Sequence, residues 1–378
     1  MSVFDGSSLP DLGNRALERM RSLVELESPS DDEVRLRAVA AEFASELTTL
    51  GAEVDTEDVE GVGEHVIGRV AGSEPDLEPV IILGHLDTVH PVGTFDPVFR
   101  IDGERAYGPG VFDMKGGWAC VLEALARLRA AGLRPRRPVV LLATCDEETG
   151  SATSRDLIEA TAEGARAVLV PEPSLPGGAA KTRRKGVGLY RLEVRGRAAH
   201  AGVEPEKGIS ALVELAHQTL AMLELADAEL GTTVSVNQAA GGTASNVIPD
   251  SAWAVIDVRS PTMAEAERVD GQIRSLEPVL EGAELTITGE INRPPVERTP
   301  DNAALYHHAR DLAAGLGWDL GEGATGGGSD GSFTAGMGIP TLDGIGPLGA
   351  GAHTLDEHIV VEDLARRVGL YGRLLETL

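Results

Sequence analysis

Amphipathic helical segments and short, almost entirely apolar segments alternate through the first half of the chain. The helical pattern covers residues 14–50, with a break near residues 28–30, and returns at residues 115–131 and 151–162. Strand-type apolar runs occur at residues 66–70, 80–83, 139–142 and 167–170. Since strands that are apolar on both faces need helices on both faces, this order predicts an α/β fold with a central, mostly parallel sheet flanked by helices.

A different pattern begins near Lys185. It predicts, in order, a strand at 187–195, a helix at 209–224, strands at 232–239 and 252–259, a helix at 264–280 and a strand at 284–288. The order β-α-β-β-α-β is that of a ferredoxin-like α+β unit. Beyond Pro294 and Pro295 the first pattern resumes, with a helix at 302–315, a strand at 339–343 and a helix at 361–375. We therefore predict one domain from residues 1–184 and 293–378, and an inserted domain at residues 185–292.

Length, charge and cysteine content narrow the class of protein. The chain has 378 residues, of which 42% are hydrophobic, and this suits two structural units. Its net charge of −27 disfavours nucleic acid and anionic membranes as partners. The sequence has no apolar run of membrane-spanning length and no leader pattern at its start, so we expect a soluble, cytoplasmic protein. Cys120 and Cys145 lie in apolar segments without metal-type spacing, as is typical of a reducing compartment.

Five potential metal ligands are spread along the chain, most of them where a predicted strand ends. They are His85, Asp113, Glu148, Glu172 and His353. Two imidazoles and three carboxylates can bind a pair of divalent ions and leave positions open for water and substrate. In parallel sheets, sites form at the carboxyl ends of the strands. A further acid, Glu147, precedes Glu148 and is surplus to the ligand count, so the set indicates a hydrolase.

Taken singly, these residues also have ordinary structural explanations. Asp113 stands where a helix opens and could be its N-cap. Glu172 lies between two prolines and could belong to a turn. The acids at 146–148 could begin a solvated loop, although three adjacent carboxylates repel one another unless cations are near. Asp87 lies two residues after His85, on the same face of the strand, and could accept the second imidazole N–H.

Together and in this order, the motifs resemble the co-catalytic zinc aminoacylase/carboxypeptidase peptidases. That family includes glutamate carboxypeptidase, acetylornithine deacetylase and succinyl-diaminopimelate desuccinylase. The resemblance covers nearly the whole chain and rests on residues 84–89, 108–117, 147–151 and 352–354.

The resemblance implies that His85 and Glu172 bind one Zn²⁺ ion, that Glu148 and His353 bind a second, and that Asp113 bridges them. Co²⁺ or Mn²⁺ could substitute for zinc, and the two ions would lie about 3.5 Å apart. The resemblance also implies a cis peptide bond between Asp113 and Met114.

The same resemblance implies a mechanism. Glu147 matches the general base that acts on a metal-bridging hydroxide and then delivers a proton to the leaving nitrogen. Asp146 is the next candidate for that base. Asp87 matches the aspartate behind the first histidine.

The inserted domain carries further matches to the family's dimerisation and lid domain. His200 matches a histidine that reaches an active site across a dimer and stabilises the oxyanion. Asn246 matches a lid asparagine that contacts substrate. Arg259 matches an arginine that binds the substrate carboxylate, and Arg293 is placed like a second such arginine in glutamate carboxypeptidases. Judged alone, His200 could be structural and Arg293 a solvated boundary residue.

A glycine-rich segment at residues 326–330, including Gly327, could present backbone N–H groups to an anion or could be a flexible loop. Nucleotide binding there is disfavoured because the lysine of a phosphate-binding loop is missing. A non-catalytic protein with this fold is the alternative of a different class, but all five ligands and Glu147 are present.

The resemblance therefore implies a metal-dependent carboxypeptidase or amidohydrolase, acting on a small N-acyl amino acid or peptide. The product would be an amino acid with a free α-carboxylate, and glutamate is our first expectation. The alternative is an N-acyl amino acid deacylase of the acetylornithine or succinyl-diaminopimelate type. We also expect a homodimer through residues 185–292, joined edge strand to edge strand.

Overall fold

A computed structural model describes residues 2–4 and 9–378, which fall into two compact units. The first unit contains the residues up to Thr182, Arg298–Thr325 and Ser329–Leu378, and the second contains Arg183–Glu297 and Gly326–Gly328. The α-helices are α1 (Leu9–Val24), α2 (Glu33–Thr49), α3 (Gly116–Ala130), α4 (Arg155–Ala162), α5 (Ala211–Leu223), α6 (Met263–Arg274), α7 (Pro300–Gly315), α8 (Gly331–Gly336) and α9 (Val361–Thr377).

The strands of the first unit precede and follow those of the second in the chain. In chain order they are β1 (Glu53–Val59), β2 (Gly63–Val70), β3 (Val80–His85), β4 (Arg100–Asp102), β5 (Arg105–Tyr107), β6 (Val139–Thr144), β7 (Ala167–Leu169), β8 (Ala180–Arg184), β9 (Gly186–Arg195), β10 (Ala199–His200), β11 (Thr233–Gly241), β12 (Val247–Ile248), β13 (Ser251–Ser260), β14 (Glu284–Arg293), β15 (Glu322–Thr325), β16 (Thr341–Leu342), β17 (Gly349–Ala350) and β18 (His358–Val360).

The first unit is built around a six-stranded sheet in the order β1-β2-β6-β3-β7-β16. Strands β6, β3, β7 and β16 are parallel neighbours, while β1 and β2 pair antiparallel at one edge. Every residue of β3 is buried, because helices cover both faces: Ile82 packs into one apolar cluster and Ile81 into another. The predicted α/β class is thus confirmed, with a mixed sheet. The exposed edge strand β1 lacks an apolar pattern and was not predicted.

The second unit has the predicted β-α-β-β-α-β order, and its antiparallel sheet runs β11-β13-β9-β14. That strand arrangement is ferredoxin-like. Strand β9 alternates between buried and less buried positions, since one face of the sheet packs on its helices. Helix α6 ends at Arg274, six residues before the predicted end, and Pro278 lies in the remaining part of the predicted helix, which a proline interrupts.

A small sheet, β17-β18-β5-β4, positions two loops of the first unit. Strands β17 and β18 form a hairpin whose loop contains His353, and β18 pairs with β5, which precedes the Asp113 segment. The chain folds so that these two loops are neighbours. Among the described residues, no helix is both long and apolar enough to cross a membrane.

Candidate metal centre

Three of the predicted ligands follow adjacent parallel strands of the main sheet. His85 is the last residue of β3, Glu148 lies four residues beyond the end of β6, and Glu172 lies three residues beyond β7. Strand β3 pairs in parallel with both β6 and β7, so the three carboxyl ends share one edge. This is the placement that the sequence predicts for a site in a parallel sheet.

Asp113 lies between the two histidines and presents one oxygen to each. Its Oδ1 is 3.2 Å from His85 Nε2, and its Oδ2 is 3.4 Å from His353 Nε2. Glu172 Oε1 lies 3.5 Å from His85 Nε2, and Glu148 Oε2 lies 3.1 Å from His353 Nε2. The five side chains therefore form two groups, each with one imidazole and one glutamate, that share Asp113.

Asp113 is not the N-cap of the following helix. Helix α3 begins at Gly116, and its N-cap residue is Lys115. The Asp113–Met114 peptide bond is cis, as the family resemblance predicts. Asp113 thus lies in an irregular turn before the helix, with its carboxylate between His85 and His353.

The pKa shifts of the cluster indicate that its carboxylates need nearby positive charge to stay ionised. Burial opposes the charged form of His85, but hydrogen bonds that its ring donates to Asp113, Asp87 and Glu172 outweigh burial and raise the pKa of His85 well above the usual value. Hydrogen bonds with Asp113 and Glu148 raise the pKa of His353 to about 10. Burial acts against ionisation of Asp113, yet the two histidines lower its pKa. Burial raises the pKa of Glu148. Protons on the imidazoles supply the positive charge in this arrangement.

The donor set fits divalent metal ions. Among the described residues, ligand atoms of His85, Asp113 and Glu148 all lie within 4.8 Å of one another. Imidazole nitrogen and carboxylate oxygen are ligands that zinc and several other divalent ions accept. Cations would also relieve the repulsion among carboxylates that burial makes unfavourable.

Asp87 connects the first histidine to the acidic loop. Its backbone carbonyl accepts a hydrogen bond from His85 Nδ1 at 3.0 Å, and its Oδ1 lies 3.4 Å from the same nitrogen. Because a carbonyl can only accept, a hydrogen lies on Nδ1, and Nε2 is the ring nitrogen that faces Asp113. The Asp87 carboxylate also accepts the backbone N–H groups of Glu147 (3.3 Å) and Glu148 (3.1 Å). Asp87 thus contacts both a predicted ligand and the loop that carries the predicted base.

Asp146 has a structural function in that loop. It is 3% exposed, and its Oδ2 accepts hydrogen bonds from Thr153 N (2.8 Å), Thr153 Oγ1 (2.7 Å) and Ser154 N (3.3 Å). These contacts explain Asp146 as a loop anchor, whereas the neighbouring Glu147 is partly exposed.

Sequence reasoning missed several residues beside the centre. His65 is fully buried, accepts a hydrogen bond from Cys145 N (3.2 Å) and lies 3.1 Å from Thr153 Oγ1. Lys181 Nζ lies 3.9 Å from Glu172 Oε2. Burial lowers the pKa of Lys115 to about 7. None of these three residues stands in a sequence motif with metal-type spacing. Only Lys115, which lies inside the motif at residues 108–117, could have been identified from the sequence.

The second unit brings two of its predicted residues together. His200 ends β10, which pairs with β12, and Ala201 N donates to Asn246 O at 2.9 Å. The His200 ring Nδ1 accepts from Gly202 N at 3.1 Å. His200 and Asn246 are both exposed. They lie at one end of a two-stranded ribbon.

The predicted arginines of the second unit already have partners. Arg259 donates to both carboxylate oxygens of Asp257, each at 2.8 Å, and its Nη1 donates to Gly326 O at 3.4 Å. Arg293 is only 5% exposed and so is not a solvated boundary residue. A Cβ on Gly328 would approach Arg293 Cδ to 2.7 Å, so the glycine permits close packing.

The glycine-rich segment presents carbonyl groups to arginines. Gly327 O and Gly328 O accept from Arg184 Nη1 at 3.2 and 2.8 Å. Together with the contact from Arg259, they tie the segment to the second unit. Recognition of an anion by its N–H groups stays a prediction.

The fold and the cluster of imidazoles and carboxylates define a metal-dependent hydrolase, and comparisons with known proteins identify the family. Residues 81–377 match the family described as peptidase family M20/M25/M40. Carboxypeptidase G2 of Pseudomonas sp. (strain RS-16) is 31% identical over 370 residues, which cover 95% of this chain and 88% of the relative. Acetylornithine deacetylase of Myxococcus xanthus is 30% identical over 370 residues, covering 91% and 90%. The crystal structure of aminopeptidase PepT from Bacillus cereus ATCC 10987 has a TM-score of 0.76 at 23% identity, covering 95% and 96%.

The chain therefore belongs to peptidase family M20/M25/M40. It is a metallohydrolase that acts on amide or peptide bonds.

Proposed function

We propose that this protein is a dinuclear metal hydrolase of the carboxypeptidase type, which releases a C-terminal amino acid with a free α-carboxylate. The observation that carries the proposal is the placement of Asp113, whose two oxygens face two different histidines, each beside its own glutamate. A carboxylate so placed can bridge two ions.

In this proposal His85 and Glu172 would hold one ion, Glu148 and His353 would hold the other, and Asp113 would contact both. Zn²⁺ is the first expectation because imidazole and carboxylate ligands suit it, and Co²⁺ or Mn²⁺ are substitutes to be tested. When bound, the ions supply Lewis acidity that lowers the pKa of a water and polarises the scissile carbonyl.

Glu147 would act as the general base. Its backbone is anchored through Asp87, and its side chain is partly exposed, so it can reach a water and a substrate. It accepts the proton of the attacking water and later delivers that proton to the leaving nitrogen. Asp87 holds His85 in the tautomer whose Nε2 lone pair can bind a metal.

The second unit would supply substrate contacts. We assign oxyanion stabilisation to His200, and substrate contacts to Asn246, Gly327 and the two arginines Arg259 and Arg293. A protein whose net charge is −27 needs local positive charge to bind an anionic product. Two guanidinium groups would supply that charge, and they favour a dicarboxylate product such as glutamate. Similarity to Carboxypeptidase G2 is consistent with this assignment.

A homodimer through the second unit is part of the proposal. The four-stranded sheet has β11 at one edge, and every residue of β11 beyond Val236 is exposed. Helix α5 exposes Leu212, Val213 and Leu220. An open edge strand and exposed apolar side chains favour association with a second copy. Residues 1–184 with 293–378 would then be the catalytic domain, and 185–292 the dimerisation domain.

The second candidate is an N-acyl amino acid deacylase, which the acetylornithine deacetylase relative favours. A panel of N-acyl-glutamate, N-acetylornithine, N-succinyl-diaminopimelate and N-acyl-leucine, assayed with Zn²⁺, Co²⁺ and Mn²⁺, separates the two. We expect the highest kcat/KM for N-acyl-glutamate. Faster cleavage of N-acetylornithine or N-acyl-leucine would replace the glutamate assignment by the deacylase alternative.

A further inference from the structure

One buried carboxylate outside the ligand set contacts two of the loops that form the metal centre. Glu357 is 1% exposed and lies in the β17–β18 hairpin loop, four residues after His353. Its Oε1 accepts backbone N–H groups from Phe112 (2.9 Å) and Asp113 (3.1 Å). These bonds connect the hairpin that carries one ligand to the backbone of the proposed bridging ligand.

The other oxygen of Glu357 contacts a third loop. His90 Nε2 donates to Glu357 Oε2 at 2.7 Å, and the ring of His90 packs edge-on against Phe95, with centroids 5.1 Å apart. His90 lies five residues after His85 in the loop that follows β3. Glu357 thus joins segments that carry His85, Asp113 and His353.

The hairpin loop between His353 and Glu357 is held by backbone hydrogen bonds. Glu357 N donates to Thr354 O at 3.2 Å, and Thr354 N donates to Gly351 O at 3.0 Å, so consecutive turns separate His353 from Glu357. His353 itself has a left-handed backbone conformation, with φ of 63°. A non-glycine residue keeps such a conformation only where its surroundings fix it.

The chemistry of Glu357 is that of a positioning group. A buried carboxylate is costly unless several donors satisfy it, and three N–H groups do so here. Its contact with Asp113 is with the backbone N–H group.

We infer that Glu357, with His90, is a positioning residue that sets the Asp113 carboxylate relative to His353, so that both oxygens of Asp113 can be used by metal ions. The inference rests on the metal site of the proposed function. Loss of such an outer contact lowers metal affinity or activity by about 10- to 100-fold.

The test compares Glu357→Ala, Glu357→Gln and His90→Phe with the unaltered protein, by titration of the metal-free protein with Co²⁺ and by its visible absorption spectrum. Glu357→Ala should weaken Co²⁺ binding by about 10- to 100-fold, change the spectrum, and lower kcat more than it raises KM. Glu357→Gln should retain most of the affinity. Its carbonyl still accepts both backbone N–H groups, and its amide can donate to His90 in the other tautomer.

A readout without metal accompanies the titration. In Glu357→Ala, amide hydrogen exchange of the peptide covering Phe112 and Asp113 should become faster, because two N–H groups lose their acceptor. Glu214→Ala is the matched control, since Glu214 is a buried glutamate of the second unit that accepts N–H groups of Val279 and Leu280. That variant should lose stability but keep Co²⁺ affinity and spectrum.

Unchanged Co²⁺ affinity and spectrum in Glu357→Ala would overturn the inference, as would an equal loss of affinity in Glu214→Ala. If Glu357→Ala does not fold, His90→Phe decides, because it keeps the packing against Phe95 and removes only the donor. A weaker affinity and altered spectrum support the inference, and wild-type values overturn it. Absence of metal binding by the unaltered protein would instead contradict the proposed function itself.

Discussion

The Asp113 centre of the first unit and the His200 ribbon of the second are organised in opposite ways. In the first, carboxylates and imidazoles already contact one another, and all of these side chains except the exposed His353 are buried or partly buried. The second presents exposed residues, His200 and Asn246, whose segments are joined by the pairing of β10 with β12 and by the hydrogen bond from Ala201 N to Asn246 O. The comparison indicates that the candidate metal ligands meet within one unit, whereas the functions proposed for His200 and Asn246 require a further surface.

The largest loss of activity should come from a substitution in the Asp113 centre. Glu147→Gln should keep the fold and the metal content, because Asp87 holds residue 147 through its backbone N–H. It should lower kcat by about 10²–10⁴-fold, the usual contribution of a positioned acid–base group. Steady-state kinetics measures the loss of kcat, and elemental analysis measures the metal content. Near wild-type turnover would show that another group handles the proton.

His200→Ala should lower kcat by about 10²–10³-fold if the imidazole stabilises an oxyanion. Its effect on folding should be small because the side chain is exposed. If the histidine acts across a dimer, mixing His200→Ala with Glu147→Gln should restore part of the activity. No restoration in mixed dimers, verified by tagged subunits, would contradict action across the interface.

Arg259→Ala should have a smaller effect, which is weaker binding of substrates that carry a free α-carboxylate. The side chain is 32% exposed and its fork is bound to Asp257, so we expect about 1.5–3 kcal/mol, the usual value for a hydrogen bond to a charged group. The change should appear in KM for N-acyl-glutamate and disappear for the corresponding amide. Asp257→Asn is the matched control, because it weakens the pair and retains the guanidinium. Equal losses for acid and amide substrates would reject Arg259 as the carboxylate ligand.

The smallest effect concerns acid stability of the second unit. Hydrogen bonds from Arg268 and Thr232 lower the pKa of Glu265 from 4.5 to about 2. A lowered folded-state pKa stabilises the protein above about pH 4.5, and that contribution is lost as the pH falls towards 2. Glu265→Gln should therefore flatten the decline of Tm over this range. Glu267→Gln, at an exposed position of the same helix, should leave the decline unchanged.

The sequence predicted the residues of the candidate metal centre, which the structure brings close together, but it did not predict the contacts around them. The buried strands β3 and β6 carry apolar runs that any packed parallel sheet requires, so His85 and Glu148 could be placed at strand ends. Glu357 and His65 act through tertiary contacts between segments far apart in the chain, for which no local pattern exists. The pairing of Arg259 with Asp257 could have been noticed, because residues two apart on a strand share a face.

The most direct test of the account is metal stoichiometry combined with anomalous diffraction from crystals of the reconstituted protein. The account predicts two ions per chain, about 3.5 Å apart, one on each oxygen of Asp113, with His85 beside one ion and His353 beside the other. In Asp113→Ala at least one ion should be lost. One ion or none per chain after full reconstitution, or two ions that do not share Asp113, would contradict the dinuclear centre.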